Sequence, residues 1–180
     1  MSRLVVIAAL LLFACTLTSA TGVADVRARI LAWARWGVAH HREFHYAQVR
    51  PIQYSPSLPW RGDCSGFVTF CYKHAGAADP NGNNYNGQGY TGTLLAHGRK
   101  IAKSQLQPGD IVIYGMPTVH TAIVIQPGAD PLTISMGHEG APNLVTVNQD
   151  GRHPQFFVTC EGFWCASLWF FLLNNNKQST

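Results

Sequence analysis

Cys64 is the residue of this sequence whose type and surroundings most directly indicate covalent chemistry. It stands in "RGDCSGFV", between an aspartate and a Ser-Gly pair, and an apolar run follows at once. A thiol at the first turn of a helix lies beside unpaired backbone N–H groups and the positive end of the helix dipole, which favour the thiolate. Asp63 can cap that helix, and the small Ser65 and Gly66 leave room for a substrate backbone. The alternative is a buried cysteine that packs as a small apolar residue.

His120 is the second candidate, because it begins the apolar segment "HTAIVI" that follows "PGDIVIYG". A nucleophilic thiol needs an adjacent base, and imidazole is the side chain best suited to that task near neutral pH. A cysteine at a helix start and a later histidine at a strand start form the papain-like arrangement, in which the two meet across the helix–sheet junction. The pair therefore predicts acyl transfer, and a histidine that only packs on its strand is the alternative.

The elements that must position these two residues are predicted as helices first and strands afterwards. A first helix is predicted with Asp25 as its N-cap, and a second from about Cys64 to Ala75. The proline-rich stretch 40–62 predicts a surface loop with short extended pieces. Short apolar strands follow, joined by turns that contain Pro, Gly and Asp. This order predicts an α+β domain in which the nucleophile helix packs on an antiparallel sheet.

Composition and charge exclude several classes of protein. The 180 residues fit one domain, and 47% hydrophobic with 12% charged residues permits a sizeable core and excludes global disorder. The net charge is +4, but the basic residues are scattered and form no stripe with interleaved aromatics, so no nucleic-acid partner is expected. The cysteines and histidines do not stand at ligand spacing, so neither a metal nor another cofactor is expected. We expect a monomer.

The first 20 residues have the layout of a secretory leader. One basic residue precedes an uncharged apolar run, and small residues then lead to Ala20. The run is shorter than the roughly 20 residues that a membrane span needs. We therefore expect a signal peptide over residues 1–20, a single domain over 21–180, and a secreted protein without a stable membrane span. A lipid anchor at Cys15 is the alternative.

Four cysteines remain after such a leader, and in an exported protein they allow three disulfide connectivities. Cys160 and Cys165 are close in sequence, in "CEGFWC", which favours a local disulfide. Cys64 and Cys71 would lie about 10 Å apart along one helix, too far for a bond between them. Cys71 falls on an apolar face and is predicted to be buried.

Three motifs in order, "DCSGFV", "PGDIVIYG" and "HTAIVI", resemble the successive signatures of the NlpC-type cysteine peptidases, papain-like endopeptidases of bacterial and phage cell walls. The flanking "HYAQVRP", "DPNG", "GYTGTLLAHG" and "ISMGHEGAP" are similar to the actinobacterial and phage lysin branch. The likeness covers about His45 to Pro142. It implies a papain-like fold over most of the chain.

The resemblance implies that Cys64 is the nucleophile and His120 the general base. It also implies a polar residue (His, Asn or Gln) on the next strand that orients the imidazole. His138 is the preferred residue for this role, because its ring has the required chemistry. Ser135 is the alternative, because strand alternation would let it face inward.

The resemblance further implies a tyrosine, upstream of the nucleophile, whose hydroxyl assists the oxyanion. Tyr46 is the candidate and Tyr54 the second choice. A stem peptide carries an amine and carboxylates, so polar residues near the cleft are candidates for substrate contact: Arg61, Asp63, Ser65, Arg50, Asp79 and Asn81.

The activity that the resemblance implies is hydrolysis of amide bonds in peptidoglycan stem peptides by a secreted cysteine peptidase. Two alternatives stay open. One is a catalytically silent wall-binding module of the same fold, against which the intact Cys64 and His120 argue. The other is a papain-like amidase or acyltransferase with a different substrate, since the Cys-His pair is common to all such reactions.

Overall fold

The computed structural model describes residues 22–137, 140–153 and 155–160. Within them helices pack on an antiparallel sheet, which confirms the predicted α+β class. The helices are α1 (22–39), α2 (Cys64–His74), α3 (Thr91–His97) and α4 (Val147–Asp150). The strands are β1 (Phe44–Tyr46), β2 (Trp60–Gly62), β3 (Arg99–Ile101), β4 (Ile111–Tyr114), β5 (His120–Gln126), β6 (Leu132–Ser135), β7 (Asn143–Thr146) and β8 (Gln155–Thr159).

The strands form one large sheet and one small one. The large sheet has the order β3-β8-β4-β5-β6-β7, and all its neighbouring strands are antiparallel. β1 and β2 form a separate parallel pair in which Tyr46 stands opposite Gly62. Because β2 ends two residues before Cys64, this small pair brings the chain around Tyr46 to the beginning of α2.

The central strands of the large sheet, β4, β5 and β6, are buried on both faces, and successive residues of each strand point to opposite sides. One face packs against the helical layer, and its buried residues include Ile111, Ile113, Ile123 and Ile134. The other face carries a second apolar cluster of Leu106, Val112, Tyr114, Ala122, Val124 and Val147. The register of β4 with β5 pairs Ile111 with Ile123 and Val112 with Ala122, which keeps the two sets apart.

α2 begins and ends almost where the sequence predicts. Asp63 is its N-cap, and its Oδ1 accepts a hydrogen bond from the Gly66 N–H at 2.8 Å. The helix ends at His74, one residue before the predicted end. The ring of Trp33 on α1 meets that of Phe70 edge to face, and Cys71 is buried as predicted.

One prediction about the elements is wrong, and two further segments change secondary structure along their length. α1 begins before Asp25, which lies inside the helix and forms an ion pair with Arg29 one turn later instead of capping it. The segment "TLLAHGRKI" is helical only to His97, and its last three residues form β3 because they pair with β8. The segment "NLVTVNQ" stops being a strand at Thr146, whose side chain caps α4.

The predicted leader, residues 1–20, and the apolar segment 161–180 lie outside the described residues. In the part of the chain that the structure describes, no helix has the length and apolar character needed to cross a membrane.

Gly87 lies in the loop that leads to α3, and its substitution tests how tightly this loop is packed. Its φ is +81°, and an added Cβ would lie 2.7 Å from the Ile52 carbonyl oxygen. Gly87→Ala therefore combines left-handed strain with a backbone clash, and we expect a loss of about 2–3 kcal/mol in the free energy of unfolding, measured with denaturant. The matched control is Gly76→Ala, because Gly76 has φ +70° and nothing within 4 Å. That variant should lose only about 1 kcal/mol, and equal losses would contradict the packing argument.

Candidate active site

Cys64 is the first residue of α2 and is only 4% exposed. Its Sγ lies 3.9 Å from Oγ1 of Thr91, the residue that begins α3. The backbone N–H of Thr121 also donates a hydrogen bond to the thiol. Because Thr121 follows His120 directly, the fold brings the thiol of α2 against the start of β5.

Burial has the largest effect on the pKa of this thiol. The pKa of Cys64 is raised, chiefly because burial removes water from the thiolate and also because the Asp63 carboxylate lies nearby. Hydrogen bonds from Thr121, Thr91 and Ser65 lower the pKa by less. The net effect is opposite to the one expected from the helix terminus alone. A thiolate therefore requires a base that accepts the proton and a group that stabilises the charged base.

His120 begins β5 and is 2% exposed. Its Nε2 lies 2.7 Å from Ser135 Oγ on β6 and 3.4 Å from Asp150 Oδ2 at the end of α4. Its ring stacks on that of Tyr114, its register partner on β4, with 5.5 Å between the ring centroids. These contacts put the imidazole on the sheet face of the second apolar cluster. The start of β5 therefore contacts the thiol through the backbone of Thr121, whereas the His120 ring lies among Tyr114, Ser135 and Asp150. Transfer of the thiol proton to His120 stays a prediction.

Of the two residues predicted to orient the imidazole, Ser135 is in contact with its Nε2. The chain after β6 stays close to the ring, because a Cβ added to Gly137 would lie 2.6 Å from His120 Cε1. His138 lies outside the described residues, so its assignment stays a prediction.

Two residues beside the imidazole have no counterpart in the sequence predictions. The Asp150 side chain is 1% exposed, and Arg152 Nη1 donates to both of its carboxylate oxygens at 2.7 Å. Gly151 between them has φ +73°, the left-handed turn that ends α4. The Thr146–Gln149 capping box was a signal for the helix start, but no local pattern connects Asp150 with His120.

Tyr46 is the tyrosine that lies at the thiol. Its side chain is hydrogen-bonded to Cys64, and burial together with the negative charge of the thiolate raises the pKa of Tyr46. Tyr54, the second choice, is buried in a different setting: Lys73 Nζ lies 5.1 Å from its ring centroid, and burial raises its pKa to about 12. At neutral pH the Tyr46 hydroxyl keeps its proton and can donate it to an anion.

The residues predicted to contact substrate differ in their exposure and in the number of hydrogen bonds that they already form within the protein. Asp63 accepts from the Gly66 N–H, the Ser65 hydroxyl and Arg50 Nη2, each at 2.8 Å. Ser65 is itself buried, whereas Arg61 is exposed. Substrate contact by these residues stays a prediction, and Arg61 is the most accessible of the three.

Asp79 and Asn81 form part of a loop, residues 79–85, that is fixed by internal hydrogen bonds. The Asp79 carboxylate accepts from the backbone N–H groups of Asn81, Asn83 and Tyr85. These internal hydrogen bonds satisfy the buried Asp79 carboxylate, so no ligand is needed to explain its burial.

The predicted disulfide joins Cys160, which is buried, to Cys165, which lies outside the described residues, so the pairing stays a prediction. Among the described residues, no group of three or more His, Cys, Asp or Glu side chains is arranged to hold a metal ion.

Comparison with known proteins gives one family. The model of the NlpC/P60 family matches residues 49–143. Curated relatives include the probable endopeptidase Rv2190c of Mycobacterium tuberculosis and the probable endopeptidase Mb2213c of Mycobacterium bovis, each 33% identical over 103 residues. Each match covers 56% of this chain and 24% of the relative, so the chain spans about a quarter of these relatives' length.

Solved structures share the fold. The NlpC/p60 domain of the peptidoglycan hydrolase SagA has a TM-score of 0.53 and 25% identity, over 74% of this chain and 97% of that domain. The peptidoglycan hydrolase RipB of Mycobacterium tuberculosis has a TM-score of 0.52 and 15% identity, over 76% and 67% of the two chains. The P60 domain of antigen MAP1272c from M. avium paratuberculosis has a TM-score of 0.51 and 19% identity, over 77% and 96%.

The influence of Asp63 on the thiol can be measured directly. Asp63→Asn keeps the oxygen that caps α2 but removes the negative charge that raises the pKa of Cys64. We expect the midpoint of the pH dependence of Cys64 alkylation to fall by about 0.5–1 unit. Alkylation by iodoacetamide is followed by mass spectrometry of the Cys64 peptide. Asp25→Asn, at an exposed carboxylate on α1, should leave the midpoint unchanged, and a midpoint that rises in Asp63→Asn would contradict the stated cause.

Proposed function

Because the chain belongs to the NlpC/P60 family, we propose that it is a cysteine-type hydrolase that cleaves amide bonds in the stem peptides of peptidoglycan. The observation that carries this proposal is the position of the Cys64 thiol against the N–H of Thr121, the residue that directly follows His120, whose Nε2 has polar partners. The likeness to the domain of SagA, a peptidoglycan hydrolase, supports the substrate class. The curated relatives named as probable endopeptidases support cleavage within a peptide.

The first half of the proposed reaction forms a thioester. The Cys64 proton passes to the His120 imidazole, and the thiolate attacks the amide carbonyl carbon, so that a C–S bond forms and the carbonyl oxygen becomes an oxyanion. The backbone N–H of Cys64 and the hydroxyl of Tyr46 are the proposed donors to that oxyanion. The imidazolium then protonates the leaving nitrogen as the C–N bond breaks, and the amine departs.

The second half releases the acid. His120, neutral again, takes a proton from a water molecule that attacks the thioester carbonyl. The C–S bond breaks, the carboxylic acid product leaves and loses its proton to solvent, and the proton held by His120 returns to the Cys64 sulfur. Ser135 contributes by contacting Nε2, which fixes the orientation of the ring through both halves.

Export to the compartment of the substrate is part of the proposal. Peptidoglycan lies outside the cytoplasmic membrane, and the layout of residues 1–20 is that of a secretory leader. We therefore propose that the domain acts as a secreted protein.

Removal of the nucleophile tests the proposal. The protein without its leader is incubated with purified peptidoglycan, and released fragments are identified by mass spectrometry. We expect Cys64→Ala to reduce fragment release at least about a thousandfold, since no other group can form the thioester. Cys71→Ala is the matched control, because Cys71 is a buried thiol of the same helix, and it should retain release.

The outcomes separate the alternatives. Release by Cys64→Ala at the parent rate would refute the proposal. Sedimentation of the folded parent with peptidoglycan without any release would indicate a wall-binding module. Turnover of other amides or esters, but not of peptidoglycan, would indicate a papain-like amidase or acyltransferase.

The role of the tyrosine is tested by a pair of variants. Tyr46→Phe removes the hydroxyl that is bonded to Cys64. We expect kcat on a soluble muropeptide to fall about 10- to 100-fold with KM nearly unchanged, because an oxyanion donor acts mainly in the transition state. Tyr54→Phe should leave kcat near the parent value. The reverse result would transfer the role to Tyr54.

A further inference from the structure

We propose that Asp150, held in place by Arg152, is a positioning residue for His120. This inference rests on the proposed function, because it concerns the proton that Cys64 gives to the imidazole. It assigns a task to an ion pair between the buried last residue of a separate helix, α4, and Arg152 two residues later, and not to a residue of the strand that follows β5.

The geometry around Nε2 points to two partners with different tasks. Ser135 Oγ, at 2.7 Å, is at hydrogen-bond distance, whereas Asp150 Oδ2, at 3.4 Å, is at ion-pair distance. A serine hydroxyl fixes the direction of the ring but carries no charge. Asp150 adds a negative charge that stabilises the protonated ring.

The need for such a charge follows from the burial of the reacting pair. When the Cys64 proton moves to His120, a thiolate and an imidazolium form where both side chains are almost inaccessible to water. Burial raises the pKa of the Cys64 thiol and so opposes the transfer. A carboxylate beside the imidazole favours the same transfer, because a charge acts more strongly in a medium of low dielectric constant.

The ion pair is held by contacts at both ends of α4. Thr146 caps the helix by accepting from the Gln149 N–H, and the Val147 N–H donates to the Pro131 carbonyl in the β5–β6 turn at 3.0 Å. Arg152 donates to both oxygens of Asp150. These contacts fix the carboxylate before substrate binds, so that little reorganisation is needed during the reaction.

The other charged and titratable groups around this pair are known for the described residues. They are Tyr114 from β4, which stacks on the ring, Asp130 from the β5–β6 turn, which accepts from the Asn148 N–H, and Arg152 itself. His138 and Glu139 follow β6 outside the described residues. Of the described carboxylates, Asp150 is the one in contact with Nε2.

The test uses the pH dependence of Cys64 alkylation, which needs no substrate, together with kinetics on a soluble muropeptide. Asp150→Asn removes the charge and keeps the shape. We expect its alkylation midpoint to rise by about one pH unit and its kcat to fall about tenfold or more, with KM nearly unchanged. Asp150→Glu should restore part of the loss. Asp25→Asn, which removes an exposed carboxylate, should match the parent.

Arg152→Gln should shift the alkylation midpoint in the opposite direction, which distinguishes an electrostatic role of the ion pair from a purely structural one. It leaves the Asp150 charge without its arginine, so the imidazolium is stabilised further and the alkylation midpoint should fall below that of the parent. A role in folding alone would move both variants in the same direction, in step with their thermal unfolding temperatures. The inference is overturned if Asp150→Asn has the parent profile, or if Arg152→Gln also raises the midpoint.

The two proposals fail separately. A parent protein that releases nothing from peptidoglycan refutes the proposed function, while the alkylation profiles of the same proteins still decide the role of Asp150.

Discussion

Burial of the Cys64 thiol at the junction of α2 and β5 is the constraint on which the rest of the site depends. Water is excluded there, so the helix terminus alone does not stabilise a thiolate, and the pKa of the thiol is raised. The proton must therefore go to a neighbouring base, and the base must be stabilised once it is charged. In the proposed reaction this base is His120, which begins β5 directly before Thr121, whose N–H meets the thiol.

Charge is arranged in a similar way at the two candidate reacting groups, Cys64 and His120, but with opposite effects. An arginine holds a carboxylate at each: Arg50 with Asp63 beside the thiol, and Arg152 with Asp150 beside the imidazole. A negative charge near a thiol opposes ionisation, whereas one near an imidazole favours protonation. Asp63 nevertheless caps α2, and the positive charge of Arg50 at 2.8 Å offsets part of its effect on the thiol. Asp150 has no such conflict between structure and charge.

The short elements of the fold bring side chains to this junction. The two-stranded pair β1–β2 carries Tyr46 to the thiol, and the first residue of α3, Thr91, approaches it from another side. The large sheet supplies the rigid surface on which α2 packs, and its second face holds the imidazole against Tyr114. Residues far apart in the chain thus surround the thiol, and others surround the imidazole, on a rigid scaffold of the kind that commonly carries functional residues.

The sequence by itself determined the α+β class, the bounds of α2 within one residue, its cap by Asp63, and the residues Cys64 and His120 as the candidate pair. These features depend on local hydrogen bonds, apolar periodicity and short motifs, all of which are visible over a few residues. Only the tertiary structure decided that the thiol is desolvated, that Ser135 contacts the imidazole, and that Asp150 lies beside it. Burial and partner choice depend on how distant segments pack, and no local pattern contains that information.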